Sequence, residues 1–480
     1  METFYSSFKE LAAKMDLSMI GLSSVALLAI YITHYIYKWR NPKCNGVLPP
    51  GSMGFPLIGE ILQLVLPSSS IDLPPFLKER LKRYGPIFRT NVAGWPVIVT
   101  ADPEFNYFLL RQDGKLVDPW STATFTQVFD KAKKSSTNNI RSLTLKHFGL
   151  EPLKEKLLPK MEDVVRETLR RWSDQESVEV KGAAIEMTIN FAAKLIFSGD
   201  LENAQLKIGE LYKDLVEGLI SFPINFPGTT HYKCLQIHKK VRGILKDVVE
   251  KRLAAPERTQ EDLLAHIIQE MNIGKDFVIQ SMFGLLFVTS EPIATTMAFA
   301  FKLLAEHPAV LEELTAEHEA ILKERNNLDT PLAWNEYKSM TFTLQVINEV
   351  LRLQNTAPGL FRRALKDIPV NGYTIPKGWV IMIATVALHL NSNQFEDPLA
   401  FNPWRWKNIQ PSVAAKCFMP FGSGMKQCAG AEYSRVFLAI FLHVLVTKYR
   451  WTMVKGGKII RAPIIRFPDG FHFKISEKTN

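Results

Sequence analysis

Phe421-Gly422-Ser423-Gly424-Met425-Lys426-Gln427-Cys428-Ala429-Gly430 is a glycine-punctuated approach to a cysteine. Val436, Phe437, Ile440, Phe441, Val444 and Leu445 then recur at helical spacing, which puts Cys428 at the start of a buried helix. Tight turns on glycine can bring a sulfur and backbone N–H groups close to a flat cofactor. A helix N-terminus favours the thiolate over the thiol, and the thiolate is the form that binds a metal. A lone cysteine is more often a small buried hydrophobe. That reading gives no purpose to the three glycines or to the cationic Lys426 two residues upstream.

Working outward, a chain of 480 residues has room for two or three average domains or one large enzyme core. Its 46 % hydrophobic and 22 % charged content suits a globular protein. The net charge of +10 points to an acidic partner or an anionic surface. Nucleic acid is not expected, because no basic motif is interleaved with aromatics. Cys44, Cys234, Cys417 and Cys428 are too few for a disulfide framework, so a reducing compartment is expected.

Leu17 to Tyr37 is a run of 21 residues without formal charge apart from a titratable His34, long enough to cross a bilayer. Lys38, Arg40 and Lys43 follow it, against Lys9 and Lys14 before it, a slight positive-inside bias. The stretch exceeds a signal-peptide core and lacks a clear cleavage site, so the expectation is an uncleaved anchor. The expected organisation is residues 1–16 lumenal, 17–37 transmembrane, 38–60 a basic and proline-rich hinge, and 61–480 the catalytic body facing the cytosol.

Along that body, Ile87–Asn91 and Val97–Thr100 predict a hairpin around Ala93-Gly94-Trp95. Helical patterns run from Pro152 to Ala254 with a break at Ser221–Thr230, from Phe277 to Leu304 and on to Asn326, and from Trp334 to Leu353. Ile368–Ile383, Lys458–Ile465 and Phe471–Ile475 predict short strands. The expected fold is mainly α, with a small β portion assembled from distant pieces.

Glu349 and Arg352 are three residues apart, on one helix face. Alone, such a pair is common by chance. Phe401-Asn402-Pro403-Trp404-Arg405-Trp406 follows, and Arg405 has the fork geometry to close a network with the pair.

Glu-x-x-Arg, then Phe-x-Pro-x-Arg-Trp, then the glycine-cysteine loop, in that order, resemble the motifs of a cytochrome P-450, a haem-thiolate monooxygenase. The resemblance runs from the apolar N-terminal segment to the C-terminal strands. The stretches 373–379, 401–406 and 445–451 resemble the plant clan acting on sterols, brassinosteroids and triterpenoids. The resemblance implies a P-450 fold behind a transmembrane helix and haem b with Cys428 as axial ligand, in a loop that includes Phe421. Thiolate ligation pushes electron density that favours O–O cleavage. Arg141, Arg362 and Lys426 stand where the family meets the haem propionates. Lys426 replaces the usual Arg, offering a point charge rather than a fork, and Thr137 replaces a usual Trp or His donor. The resemblance also implies electrons from NADPH through a flavoprotein reductase, single-pass residence in the endoplasmic reticulum membrane, and a hydrophobic substrate. Lys131, Lys133, Lys134 and Lys146 are candidates for the face that meets the acidic reductase.

One segment departs from the family. Where a small residue, Gly, any residue, an acid and Thr are usual, this chain reads Val288-Thr289-Ser290-Glu291-Pro292. Proline has no hydroxyl to relay protons, and it frees the Val288 carbonyl. The expectation is that Glu291 and a water on that carbonyl take over, with Thr289 or Thr295 assisting. The alternative is that Pro292 only shapes the pocket. Trp120, Phe125, Phe129, Phe222, Phe226, Leu285 and Leu360 lie in segments that line the substrate cavity in the family, and the Phe222–Phe226 loop is also suited to dip into a membrane. Two other functions fit a P-450 fold: a reductase-independent isomerase or dehydratase, and a catalytically silent haem-binding membrane protein.

Overall fold

The helix Lys275–Glu306 is apolar on nearly every side, as its position requires: it packs on Val180–Phe197, Thr230–Ala254, Thr341–Gln354 and Ala431–Lys448. Among the described residues it alone has the length and apolar content of a membrane span, yet 56 % of its apolar window is buried in protein. Phe301 sits at the centre of the core, with ring centroids 5.4 Å from Trp451, 5.4 Å from Phe473 and 5.6 Å from Phe441. The computed structural model describes residues 2–129, 134–198, 205–254 other than 214, 220 and 222, 262–270, and 274–478 other than 326, 328 and 329.

The strands in chain order are β1 (Ile87–Val92), β2 (Trp95–Thr100), β3 (Val117–Pro119), β4 (Val178–Glu179), β5 (Leu360–Ala364), β6 (Ile368–Val370), β7 (Tyr373–Ile375), β8 (Val380–Ile383), β9 (Tyr449–Gly456), β10 (Ile460–Arg461), β11 (Ile465–Arg466) and β12 (Phe471–Glu477). The main sheet has the order β1-β2-β8-β5-β3. β2 and β8 pair in parallel with Val97 opposite Val380, so segments nearly three hundred residues apart form one surface. Its second face buries Ile98, Ile381, Leu109, Leu110 and Trp379 in a smaller core. β4, β12 and β9 form a separate antiparallel sheet.

The predicted hairpin is present, tightened to a turn at Ala93 and Gly94, both with positive φ. Two local expectations need correction, and one strand, β9, was not foreseen. The pattern from Trp334 to Leu353 is two helices, Trp334–Ser339 and Thr341–Gln354, divided at Met340, whose ψ of 64° is not helical. The single strand expected over Lys458–Ile465 is the two-stranded ribbon of β10 and β11. β9 continues directly from the helix Ala431–Lys448, where the apolar helical pattern masked the change of period.

At the N-terminus one helix runs Glu2–Arg40. From Leu22 onward its apolar side chains, including Val25, Leu27, Leu28, Ile30 and Tyr31, are exposed. The segment that follows is tied to the body. Trp39 Nε1 donates to Met53 O at 3.1 Å, Arg89 N donates to Pro50 O at 2.8 Å and Thr374 N donates to Val47 O at 2.7 Å. The four cysteines are free thiols.

Candidate active site

Cys428 stands just before the helix Ala431–Lys448, whose N-cap is Gly430. Its N–H donates to Phe421 O at 2.9 Å, closing the loop on itself, and Gln427 N donates to Gly424 O at 3.1 Å. Gly424 has φ +71°, and a Cβ there would lie 2.2 Å from Leu110 O, so only glycine fits between the loop and the second core. The Arg435 guanidinium stacks 4.7 Å over the Phe421 ring. Cys428 is open to solvent on one side, while protein packed around the sulfur pushes its pKa up. The Gly430 N–H and the charges of Arg141 and Arg435 pull it down, less strongly.

Glu349 and Arg352 are fully buried on the helix Thr341–Gln354. Arg352 makes a two-pronged bond to Glu349, Nε to Oε2 at 2.8 Å and Nη2 to Oε1 at 2.7 Å. Arg405 Nε donates to the same Oε1 at 2.9 Å. Trp406 Nε1 reaches Oε2 at 3.0 Å and Asn402 N reaches Oε1 at 3.1 Å. One carboxylate thus faces two guanidiniums. The surplus positive charge is met by carbonyls: Arg352 donates to His389, Pro398 and Ala400, and Arg405 to Glu396 and Asp397. A buried charge set is stable only with such full hydrogen bonding. His389 carries the network to the cysteine loop. Its carbonyl takes Arg352, and its ring Nε2 accepts the Met419 N–H at 3.0 Å. Burial and the Arg352 charge lower the His389 pKa to about 3.

The helix Lys275–Glu306 continues through Pro292. Val288, four residues back, is 56 % exposed in a helix otherwise largely buried. Glu291 and Thr295 are brought together, with Thr295 Oγ1 donating to Glu291 Oε1 at 2.8 Å. Thr289 is not joined to them; its hydroxyl donates back to Leu285 O at 2.7 Å. Lys181 Nζ lies 3.5 Å from Glu291 Oε1.

The other predicted positions are scattered. Arg141 is half-buried and Lys426 exposed. Arg362 is buried on β5 in a two-pronged pair with Asp113, Nε to Oδ1 at 2.6 Å and Nη2 to Oδ2 at 3.1 Å. Trp120 packs on Trp95 and Phe361, and Phe125 on Phe129, which meets Phe283 and Phe287. Leu285 is buried, Leu360 lies against Gly422, and Phe226 is exposed. Lys146 is exposed. Phe222, Lys131 and Lys133, and the side chains of Lys134 and Thr137, lie outside the described residues. His389, Asp113, Arg435 and Lys181 went unread in the sequence, and Trp406 was read there only as part of the motif around Arg405, without its bond to Glu349.

A family model for cytochrome P450 matches residues 49–467. The chain belongs to the cytochrome P-450 family. It is 47 % identical over 470 residues to the cucurbitadienol 11-hydroxylase of Siraitia grosvenorii, covering 96 % of this chain and 99 % of that one. It is 46 % identical over 471 residues to the beta-amyrin 16-alpha-hydroxylase of Maesa lanceolata, with the same coverage. The cholesterol 22-monohydroxylase of Paris polyphylla is 32 % identical, over 95 % of this chain and 98 % of that one. Among solved structures, the retinoic acid bound cyanobacterial CYP120A1 superposes with a TM-score of 0.79 over 91 % of this chain and 100 % of that one. At 23 % identity, that likeness concerns the fold alone.

This P-450 is therefore a monooxygenase of the haem-thiolate type. The residues present fit such a group. Among the described residues no cluster of three or more His, Cys, Asp or Glu is placed to hold a metal. One soft sulfur, Cys428, with the charges of Arg141 and Arg435 near it, suits an iron whose other ligands come from a macrocycle.

Proposed function

We propose that this P-450 is a membrane-anchored hydroxylase of triterpenoid or sterol skeletons, driven by electrons from NADPH through a flavoprotein reductase. The observation that carries the substrate class is near-full-length identity of 46–47 % to hydroxylases named for beta-amyrin and cucurbitadienol. Cys428 is the axial thiolate. Arg141 and Lys426 are the cations for the propionates, and Arg362 joins them only with the share of its charge that Asp113 leaves. When bound, the haem activates dioxygen for insertion of one oxygen atom into a C–H bond. The protein's tasks are to hold the sulfur, exclude competing ligands and supply protons. Glu349, Arg352, Arg405 and Trp406 hold the segment ahead of the loop, and Glu291 with Thr295 holds the proton that Pro292 cannot.

Anchoring in the endoplasmic reticulum membrane, with residues 1–16 lumenal and the catalytic body cytosolic, is supported by the exposed apolar side chains of the Glu2–Arg40 helix. Phe55, Leu57, Ile58, Leu62 and Trp95 add exposed apolar surface; Ala93 N donates to Ile58 O, so the two segments adjoin. Such a surface suits contact with lipid and a substrate arriving from the bilayer. Co-expression with a plant reductase in cells that make separate triterpene and sterol skeletons, followed by product analysis, tests this reading. A hydroxylated product from at least one skeleton is expected.

A further inference from the structure

Arg435 stands on the helix Ala431–Lys448, a short way past Cys428 in the chain. Its guanidinium lies 4.7 Å over the Phe421 ring, and the Phe421 carbonyl accepts the Cys428 N–H at 2.9 Å. A cation on the face of a ring is held there by the ring's own charge distribution. The Arg435 charge is therefore seated on the cysteine loop, and its field reaches the sulfur, where it favours the thiolate. The neighbouring carboxylate does little to cancel that charge. Glu432 Oε2 is 3.9 Å from Arg435 Nη1, too far for a hydrogen bond. Glu432 Oε1 is drawn the other way, accepting from the Tyr337 hydroxyl at 3.1 Å and from Lys338 Nζ at 3.4 Å. Tyr337 is buried on the helix Trp334–Ser339. Burial and the Glu432 charge hold the proton on its phenol, so it stays a donor.

We propose that Arg435 is a positioning residue that sets the reduction potential of an iron held by Cys428, while Tyr337 and Lys338 keep Glu432 from cancelling its charge. The inference rests on Cys428 as the axial ligand. The step concerned is the gain of one electron from the reductase, ferric to ferrous, with no bond made or broken and no proton moved. It lowers the charge of the site by one, and a nearby cation stabilises the product of that change by Coulomb attraction.

The test is reductive titration of the full-length holoenzyme with redox dyes and without reductase, so that docking of the partner has no part in the result. Wild type is compared with Arg435→Met, Arg435→Lys and Glu432→Gln. Arg435→Met keeps an unbranched apolar side chain beside the ring and loses the charge. It is expected to make reduction about ten-fold less favourable, a fall of about 59 mV for one electron. Arg435→Lys keeps the charge and recovers most of that fall. Glu432→Gln removes the opposing charge and raises the potential. The reduced carbon monoxide spectrum of thiolate-bound haem persists in all three. An unchanged potential in Arg435→Met with that spectrum intact overturns the role of Arg435 and leaves Cys428 as the ligand. Equal falls in Arg435→Met and Arg435→Lys overturn it too, because charge is then not the cause. A wild-type protein without that spectrum overturns Cys428 as the ligand, and the inference with it. Should Arg435→Met fail to bind haem, the part-exposed Glu432→Gln decides alone: a rise supports the assignment, and no rise overturns it.

Discussion

The Trp406 indole donates to Glu349 Oε2 over 3.0 Å, so the carboxylate that receives both arginines is also tied to a ring. That ring lies 4.5 Å from Phe418, just before the cysteine loop. Glu349 is thus the common acceptor for five hydrogen bonds from four residues. Glu349→Gln removes the only negative charge from a buried set and is expected to cost about 3–5 kcal/mol. Trp406→Phe keeps the ring and loses one bond to a charged group, for about 1.5–3 kcal/mol. Denaturant unfolding with a parallel count of bound haem checks both. Equal losses would mean that Glu349 is not the hub.

At Gly424 the constraint is steric. Gly424→Ala must move the loop or Leu110, because the added carbon would lie 2.2 Å from a carbonyl oxygen in a left-handed backbone. The expected result is folded protein that loses the reduced carbon monoxide spectrum of thiolate-bound haem. Gly372→Ala, also at positive φ but with open space around it, pays only backbone strain of about 1–2 kcal/mol and keeps that spectrum.

Acid should act on the network through histidine. His389 and His443 have folded pKa values near 3, and burial holds His318 well below its ordinary value. A depressed histidine pKa favours the neutral folded form. Its stabilising contribution is present above the unfolded value of about 6.5 and is lost as pH falls toward 3. Thermal melting followed from pH 7 to pH 4 should show a falling midpoint across that window. A flat profile would contradict the burial of these rings.

Pro292→Thr restores a hydroxyl and a helical N–H toward the Val288 carbonyl. The variant should bind haem normally and gain up to about 3 kcal/mol of helix stability. Its product yield per NADPH should change. An unchanged yield would mean that Pro292 only shapes the pocket.

The buried pair of Asp113 and Arg362 carries its own expectation. Asp113→Asn strands a guanidinium and should destabilise the fold by about 3–5 kcal/mol, whereas Asp113→Glu should recover part of the loss. Unfolding midpoints with and without haem report the effect separately from catalysis.

The helices around the core were legible because apolar residues repeat at helical spacing in Lys275–Glu306 and Ala431–Lys448. The break at Met340 was not, since an apolar residue in a helical run gives no sign of its own ψ. Cys428 and the Glu349–Arg352–Arg405 set could be read from spacing and order. Asp113, 249 residues from Arg362, could not, because only the pairing of β3 with β5 brings the turn ahead of β3 beside Arg362. The same holds for Lys181, which meets Glu291 from another helix, and for His389, whose ring and carbonyl act on different partners. Local pattern reveals elements and motifs; long-range charge pairing appears only when the fold closes.

The central claim, a Cys428-ligated P-450 that hydroxylates a triterpenoid or sterol, is tested most directly by product analysis in cells carrying the full chain, a plant reductase and one skeleton at a time, with beta-amyrin, cucurbitadienol and cholesterol as the first three. The account predicts a product one oxygen atom heavier from at least one skeleton. That product should depend on the reductase and disappear in Cys428→Ser. A protein with the intact reduced carbon monoxide spectrum that yields no such product from any triterpenoid or sterol would contradict it.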